Sequence, residues 1–371
     1  MALAAHRKDI MKLPLVAACA AWACVAAATA HAQNPDPMDI RGCTAIESDA
    51  QRLACYDQAT GRVNLPVAQK RTVQAAGGEV FGHDHPGTPA AGPGNSEVAV
   101  PLSLLDSRWE LAPESKLGTF NVRGYKPVYV LPIFASSNQN NQPHSPNPDN
   151  DATGSERLDN IEAKFQLSLK AKVWQGVFGD AGDLWVGYTQ SSRWQVYNST
   201  LSRPFRETDY EPEAMLMFDT SYHVLGWEGR LLGIGFNHQS NGRGLPLSRS
   251  WNRLIANVGF EREGWTVMIR PWWRIPESRS IDDNPDISDY VGRGEVEIVH
   301  EWNGQEFGLT LRDSFRGGSR QHGSLRFGWS FPIAGNLRGY AELFKGYGES
   351  LIDYNHNATY LGVGVSLLDW Y

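Results

Sequence analysis

A period of two constrains this chain more than any other feature. In "KFQLSLKAKVW", Phe165, Leu167, Leu169, Ala171 and Val173 alternate with Lys164, Gln166, Ser168, Lys170 and Lys172. "EFGLTL" repeats the pattern with Phe307, Leu309 and Leu311, and "RFGWSF" repeats it with Phe327, Trp329 and Phe331. Successive side chains of a strand point to opposite faces, so each segment reads as a strand with one apolar and one polar face. About twelve such segments lie between Tyr129 and Tyr371, roughly 20 residues per strand and turn, which suits tilted membrane-crossing strands. Many end in Trp or Tyr, and the last, "YLGVGVSLLDWY", closes on Tyr371. A soluble β-sandwich also alternates, but these strands look long for one. The expectation is an all-β fold, a twelve-stranded antiparallel transmembrane β-barrel over residues 125–371. Its polar face fills the lumen and its apolar face meets lipid.

The N-terminal part is read from composition. Arg7, Lys8 and Lys12 precede the apolar run "LPLVAACAAWACVAAATA", which ends in the small residues "AHA" at Ala30–Ala32. That is the form of a cleaved export signal over residues 1–32. A membrane anchor is the alternative, and Cys19 would allow a lipoprotein. Export leaves Cys43 and Cys55, an even pair that suggests a structural disulfide in a small helical segment, 33–63. Residues 64–124, with "HDHPGTPAAGPGNS", read as a Gly/Pro-rich linker. The extension is expected on the periplasmic side. A net charge of −7 argues against a nucleic-acid partner.

Chemistry concentrates in "NHQSNGRGLPLSRSWNRL" (Asn237–Leu254). In the preceding strand Leu232, Ile234 and Phe236 form the apolar face, and continuing by twos gives His238 and Ser240. In the next strand Leu254, Ala256, Val258 and Phe260 extend backward by twos to Asn252. Gly233, Gly235, Asn237 and Gln239 take the inward face. The turn-rich loop between the strands predicts a hairpin, so a base, a nucleophile and an amide meet on the lipid-facing wall. Polar groups facing hydrocarbon are costly, although headgroup-level polarity would account for any one of the three. Serine needs a base, and histidine needs a group that holds its tautomer. Ser240, His238 and Asn252 can fill those roles.

"YTQSSRWQ", "PFRETDYEPE", "NHQSNGR", "SRSWNRL", "DDNPDI" and "GYGESLIDYN" resemble the outer membrane phospholipase A family of Gram-negative bacteria, over roughly Tyr129–Tyr371. The resemblance implies a multi-pass protein of the bacterial outer membrane. It implies calcium-dependent hydrolysis of phospholipid acyl esters by Ser240, His238 and Asn252, in a homodimer that is a monomer at rest. It further implies that Gly242 donates an N–H to the oxyanion. Calcium, one per active site, would be held by the Arg243 carbonyl, the Ser248 hydroxyl and Ser202 of the partner subunit. Gln190 would lie at the dimer interface. Asp283 matches an aspartate of the family's monomer-state calcium site, but Leu245 stands where a second aspartate is expected, which puts that site in doubt. Two other readings use the same architecture: a passive porin or transport barrel, and a lipid A deacylase or acyltransferase.

Overall fold

The structure is a computed structural model that describes residues 43, 46, 48, 51–52, 55–56 and 103–368. The chain divides into two compact units, Met1–Pro66 and Val67–Tyr371. In the first, Cys43 and Cys55 form the expected disulfide, and Gln51, Arg52, Cys55 and Tyr56 are helical. The Arg52 N–H donates to the Ser48 carbonyl at 2.8 Å, and its guanidinium donates to the Ile46 carbonyl at 3.0 Å. The expected signal segment and the part of the expected linker before Ser103 lie outside the described residues.

The second unit carries β1 (Val122–Gly124), β2 (Val128–Ser136), β3 (Ile161–Trp174), β4 (Asp183–Trp194), β5 (Phe205–Val224), β6 (Trp227–Ser240) and β7 (Ser250–Arg262). It continues with β8 (Trp265–Arg274), β9 (Gly294–Trp302), β10 (Gln305–Asp313), β11 (Gly323–Ala334), β12 (Leu337–Tyr347) and β13 (Asn357–Leu368). From β2 to β13 each strand pairs with its chain neighbours, and β13 returns to β2 with Leu361 opposite Ala135. β1 continues β2 along the same neighbour: Gly124 lies opposite Leu169, and Tyr129 opposite Gln166. Pro127 stands in the gap and has no N–H to give the ladder. The result is a closed, twelve-stranded antiparallel barrel. Closure removes every sheet edge, so all backbone groups in a membrane can be paired.

Short turns and long loops segregate to opposite ends. Leu225-Gly226, Glu263-Gly264 and Asn303-Gly304 each close a hairpin in two residues, and both residues of each pair have positive φ. That is the type I′ geometry that matches strand twist. At the other end the connections are 137–160, 195–204, 241–249, 275–293, 314–322 and 348–356. In outer-membrane barrels long loops face outward and short turns face the periplasm.

The alternation resolves as expected. Along β3, Lys164, Ser168, Lys170 and Lys172 are buried in the lumen, while Leu167 is 45% exposed on the outer wall. Ion pairs fill the lumen. Lys164 bridges Glu342 at 2.6 Å and Glu349 at 2.9 Å. Arg193 bridges Asp209 at 2.8 Å and Glu349 at 2.9 Å, and Arg206 bridges Glu162 and Asp353, both at 2.8 Å. Burial pushes the Glu349 carboxyl up, but Arg193 and Lys164 outweigh it and hold the group well below the usual carboxylate range. No helix among the described residues is long and apolar enough to cross a membrane; the strands cross it.

One boundary is corrected. The last part of the expected linker is folded. It forms α1 (Leu104–Trp109), a 3-10 turn at Pro113–Ser115, and β1. Ser103 caps α1 by accepting the Asp106 N–H at 3.1 Å. Leu105, Trp109 and Leu111 pack with Tyr125, Trp185, Met215, Met217, Leu231 and Met268. Lys170 Nζ lies 3.1 Å from the Trp109 ring centroid, and Asp106 pairs with Arg230 at 2.7 Å. A six-residue helix is too short to show a helical period. Its order comes from filling the barrel, so residues 104–124 are folded with the barrel rather than forming a linker.

Candidate active site

The strands β6 and β7 form the expected hairpin, and their register places His238 opposite Asn252 and Ser240 opposite Ser250. All four side chains are half-buried. They continue the outer rows in which Phe236 is 45% exposed and Leu254 is 42% exposed. Their chain neighbours Asn237, Trp251 and Arg253 are buried on the inner face. One residue of alternation therefore separates lumen from lipid wall.

His238 Nδ1 lies 2.9 Å from Asn252 Oδ1. An amide oxygen only accepts, so Nδ1 donates to it; in the neutral ring Nε2 then keeps its lone pair, the state a general base requires. The other end of the amide is also engaged: Asn252 Nδ2 donates to Glu277 Oε1 at 3.0 Å. The Ser240 hydroxyl accepts the Gly242 N–H at 3.1 Å. Gly242 has φ +63°, in the left-handed region that favours glycine. A Cβ there would stand 3.1 Å from the Tyr210 ring. Ser240 and His238 are two residues apart on one face, roughly 7 Å along the strand. A carbonyl placed near Ser240 would thus meet a nucleophile and an N–H donor, with the base two residues along the same face.

A second cluster lies in the loops above. Asp283 Oδ2 accepts from the Ser248 hydroxyl at 2.7 Å and from the Ser250 hydroxyl at 3.2 Å. Asn150 Nδ2 donates to Asp283 Oδ1 at 3.1 Å and to the Ser248 carbonyl at 3.0 Å. Among the described residues no basic side chain forms an ion pair with Asp283, whereas its neighbour Asp282 pairs with Arg274. Hydroxyl and carbonyl oxygens beside an unneutralised carboxylate suit a hard divalent cation. No group of three His, Cys, Asp or Glu with metal-site spacing occurs among the described residues, so a cation here would draw on such neutral oxygens beside the single carboxylate of Asp283. Leu245, 65% exposed, contributes no ligand.

The remaining expected residues are placed as follows. Arg243 turns its guanidinium back to the Arg206 carbonyl at 2.7 Å, and its N–H to Asn241 Oδ1 at 3.3 Å. Ser202 is exposed in the 195–204 loop and is not joined to Ser248 within this chain. Gln190 lies on the outer face of β4, and cross-strand pairing runs from Gln190 to Tyr210 to Ser240. Its Oε1 accepts from the Tyr188 hydroxyl at 3.1 Å. Sequence reading missed Glu277, Asn150 and Ser250. Ser250 faces outward by the same period-two count that gave Asn252, so that count could have found it. Glu277 and Asn150 carry no local signal, because other loops bring them in.

The phospholipase A1 family model matches residues 105–367. A Neisseria meningitidis protein provisionally named a phospholipase A1 is 36% identical over 358 residues, covering 88% of this chain and 90% of its own length. The structure of outer membrane phospholipase A from Escherichia coli is 37% identical with a TM-score of 0.60, over 67% of this chain and 95% of that one. A second structure of that enzyme is described as an active-site mutant with an asparagine replaced by alanine; it is 37% identical with a TM-score of 0.59, over 68% of this chain and 93% of that one. A Salmonella typhi outer membrane phospholipase, a dimer with bound calcium, is 38% identical with a TM-score of 0.61, over 68% of this chain and 94% of that one.

Proposed function

The chain belongs to the phospholipase A1 family and is an acyl-ester hydrolase of the outer membrane, and we propose that it cleaves phospholipid acyl esters with Ser240, His238 and Asn252, supported by calcium in a homodimer. The observation that carries this reading is the His238 Nδ1–Asn252 Oδ1 contact of 2.9 Å on a lipid-facing wall, with Ser240 two residues along the same face. Substrate reaches the site within the membrane plane. Ser240 Oγ attacks the ester carbonyl carbon while His238 Nε2 takes its proton. Asn252 holds the protonated Nδ1 edge. The Gly242 N–H donates to the oxyanion. When the tetrahedral intermediate collapses, His238 returns the proton to the departing lysophospholipid oxygen. Water, deprotonated by His238, then releases the fatty acid from Ser240.

Calcium, when bound, supplies positive charge that stabilises the developing oxyanion. Ser248 and the Arg243 carbonyl would hold it, with Ser202 of the partner subunit. Asp283 stands beside Ser248 as the acidic member of a resting-state site, and Leu245 leaves that site one carboxylate short. Gln190 supports pairing of two outer walls. Its Nε2 has no acceptor among the described residues, and an amide facing lipid gains by finding one on a second copy. A dimer reported with calcium in the Salmonella typhi relative favours the same arrangement here. A passive channel requires an open lumen, whereas this one is filled by ion-paired side chains.

Product analysis of the full-length enzyme in phospholipid–detergent micelles tests the reading. Fatty acid and lysophospholipid are expected with calcium and not with a chelator. Ser248→Ala and Ser202→Ala are each expected to raise the calcium midpoint of hydrolysis and of dimer crosslinking together, because the coupling is reciprocal. Unchanged midpoints would remove both serines from the site. Acyl release from lipid A but not from phospholipid would replace the substrate class.

A further inference from the structure

We propose that Glu277 is a positioning residue that sets the amide of Asn252 and, through it, the ring of His238. The inference rests on the reading of Asn252 as the partner of His238. Local structure delivers Glu277 to this place. The strand β8 ends at Arg274, but the Ile275 N–H still donates to the Asn252 carbonyl at 2.8 Å, so the chain stays against β7 for one more residue. Pro276 has no N–H and ends the ladder there. Glu277 follows, half-buried, with Oε1 3.0 Å from Asn252 Nδ2. Among the described residues it has no basic partner, and Asn252 is the group it contacts.

The chemistry of an amide makes this contact selective. Asn252 has one donating end and one accepting end, and only the accepting end suits a protonated His238 Nδ1. A carboxylate accepts and cannot donate. Glu277 therefore recruits the NH2 end and leaves Oδ1 for the histidine. The flipped amide would set oxygen against carboxylate and NH2 against N–H, two repulsive contacts in place of two hydrogen bonds. The second consequence is electrostatic. Proton transfer from Ser240 leaves an imidazolium, which a Ser-His-Asp triad stabilises with a carboxylate in direct contact. Asn252 carries no charge. Glu277 places that charge one residue further out and polarises the amide between them.

The test is steady-state kinetics of full-length enzyme in phospholipid micelles with saturating calcium. Glu277→Ala and Glu277→Gln are made in the natural background, and Glu277→Gln also in Asn252→Asp. Heat-modifiable gel mobility confirms that each barrel is folded. Glu277→Ala is expected to lower kcat about tenfold, the effect of losing one charge-assisted hydrogen bond, with KM and the calcium midpoint unchanged. Glu277→Gln should cost less, because its carbonyl still accepts from Asn252. Asn252→Asp sets two carboxylates against each other and lowers kcat. Adding Glu277→Gln then offers that carboxylate an N–H and raises kcat again. This reversal of sign is the signature of positioning through residue 252, and a merely structural loop contact would not produce it. The proposal is overturned if Glu277→Gln acts in the same direction in both backgrounds. It is also overturned if Glu277→Ala leaves kcat unchanged while Asn252→Ala lowers it. If Asn252→Ala itself leaves kcat unchanged, the triad reading beneath the proposal fails with it.

Discussion

The inner and outer faces of the β6–β7 hairpin both carry polar side chains, and they hold them in different ways. Inside, Asn237 Oδ1 accepts from Arg253 at 2.6 and 3.1 Å, and its Nδ2 donates to Glu211 at 3.0 Å. Arg253 also reaches Glu211 at 3.0 Å and Gln239 at 3.3 Å. Outside, among the described residues, the His238 ring makes one hydrogen bond, to Asn252, and the Ser240 hydroxyl makes one, from Gly242. Inner polar groups satisfy one another several times over, as buried polar groups must. Outer ones are held just enough to be oriented, and His238 Nε2 and the Ser240 O–H are left to act. With the proposed triad, fold stability and chemistry occupy opposite faces of the same two strands.

The largest expected effect lies on the outer face. Ser240→Ala and His238→Ala should each lower hydrolysis at least about a thousandfold, while changing the unfolding free energy by no more than about 0.5 kcal/mol, the range for positions with little packing. Parallel assays of turnover and denaturant unfolding would show this. Substantial turnover in either variant would erase the division between the faces.

Next comes the lumen. Arg193 is buried, and Arg193→Met strands the Asp209 carboxylate it pairs and leaves Glu349 with Lys164 alone. Breaking one side of a buried pair costs about 3–5 kcal/mol. Reversible unfolding in detergent should register that loss, with turnover per folded molecule little altered. A fall in turnover without destabilisation would show that lumen charges reach the site.

The smallest effect is expected in the first compact unit. Cys43→Ser with Cys55→Ser should leave barrel unfolding and hydrolysis unchanged. The bond spans a separation of 12 residues within the first compact unit, and no barrel ladder includes it. Lost activity with an intact barrel would bring the extension into the mechanism.

Much of the outer wall was legible because a strand's periodicity is local. Counting by twos from Leu232 reaches His238 and Ser240, and counting back from Leu254 reaches Asn252. The turn-rich loop between them then pairs the strands, and the structure places His238 opposite Asn252. The helix α1 was not legible. Six residues are too few to show a helical period, and only the apolar space at the turn end selects the folded form. The surroundings of Asp283 were legible as a motif, "DDNPDI", but not as a cluster, since Ser248 and Asn150 arrive from other loops.

The sequence by itself determined which residues face lipid and which face the lumen, because strand geometry allows two directions and hydrophobicity chooses between them. It also determined that a serine, a histidine and an asparagine share one face. The tertiary structure alone decided where the barrel closes, with Leu361 opposite Ala135. It alone brought Glu277 across 25 residues to the Asn252 amide, and Asp283 across 35 residues to Ser248. Those contacts depend on how neighbouring strands are staggered and where each loop leaves its strand. Stagger is set by pairing around the whole closed ring, a condition that no single segment carries.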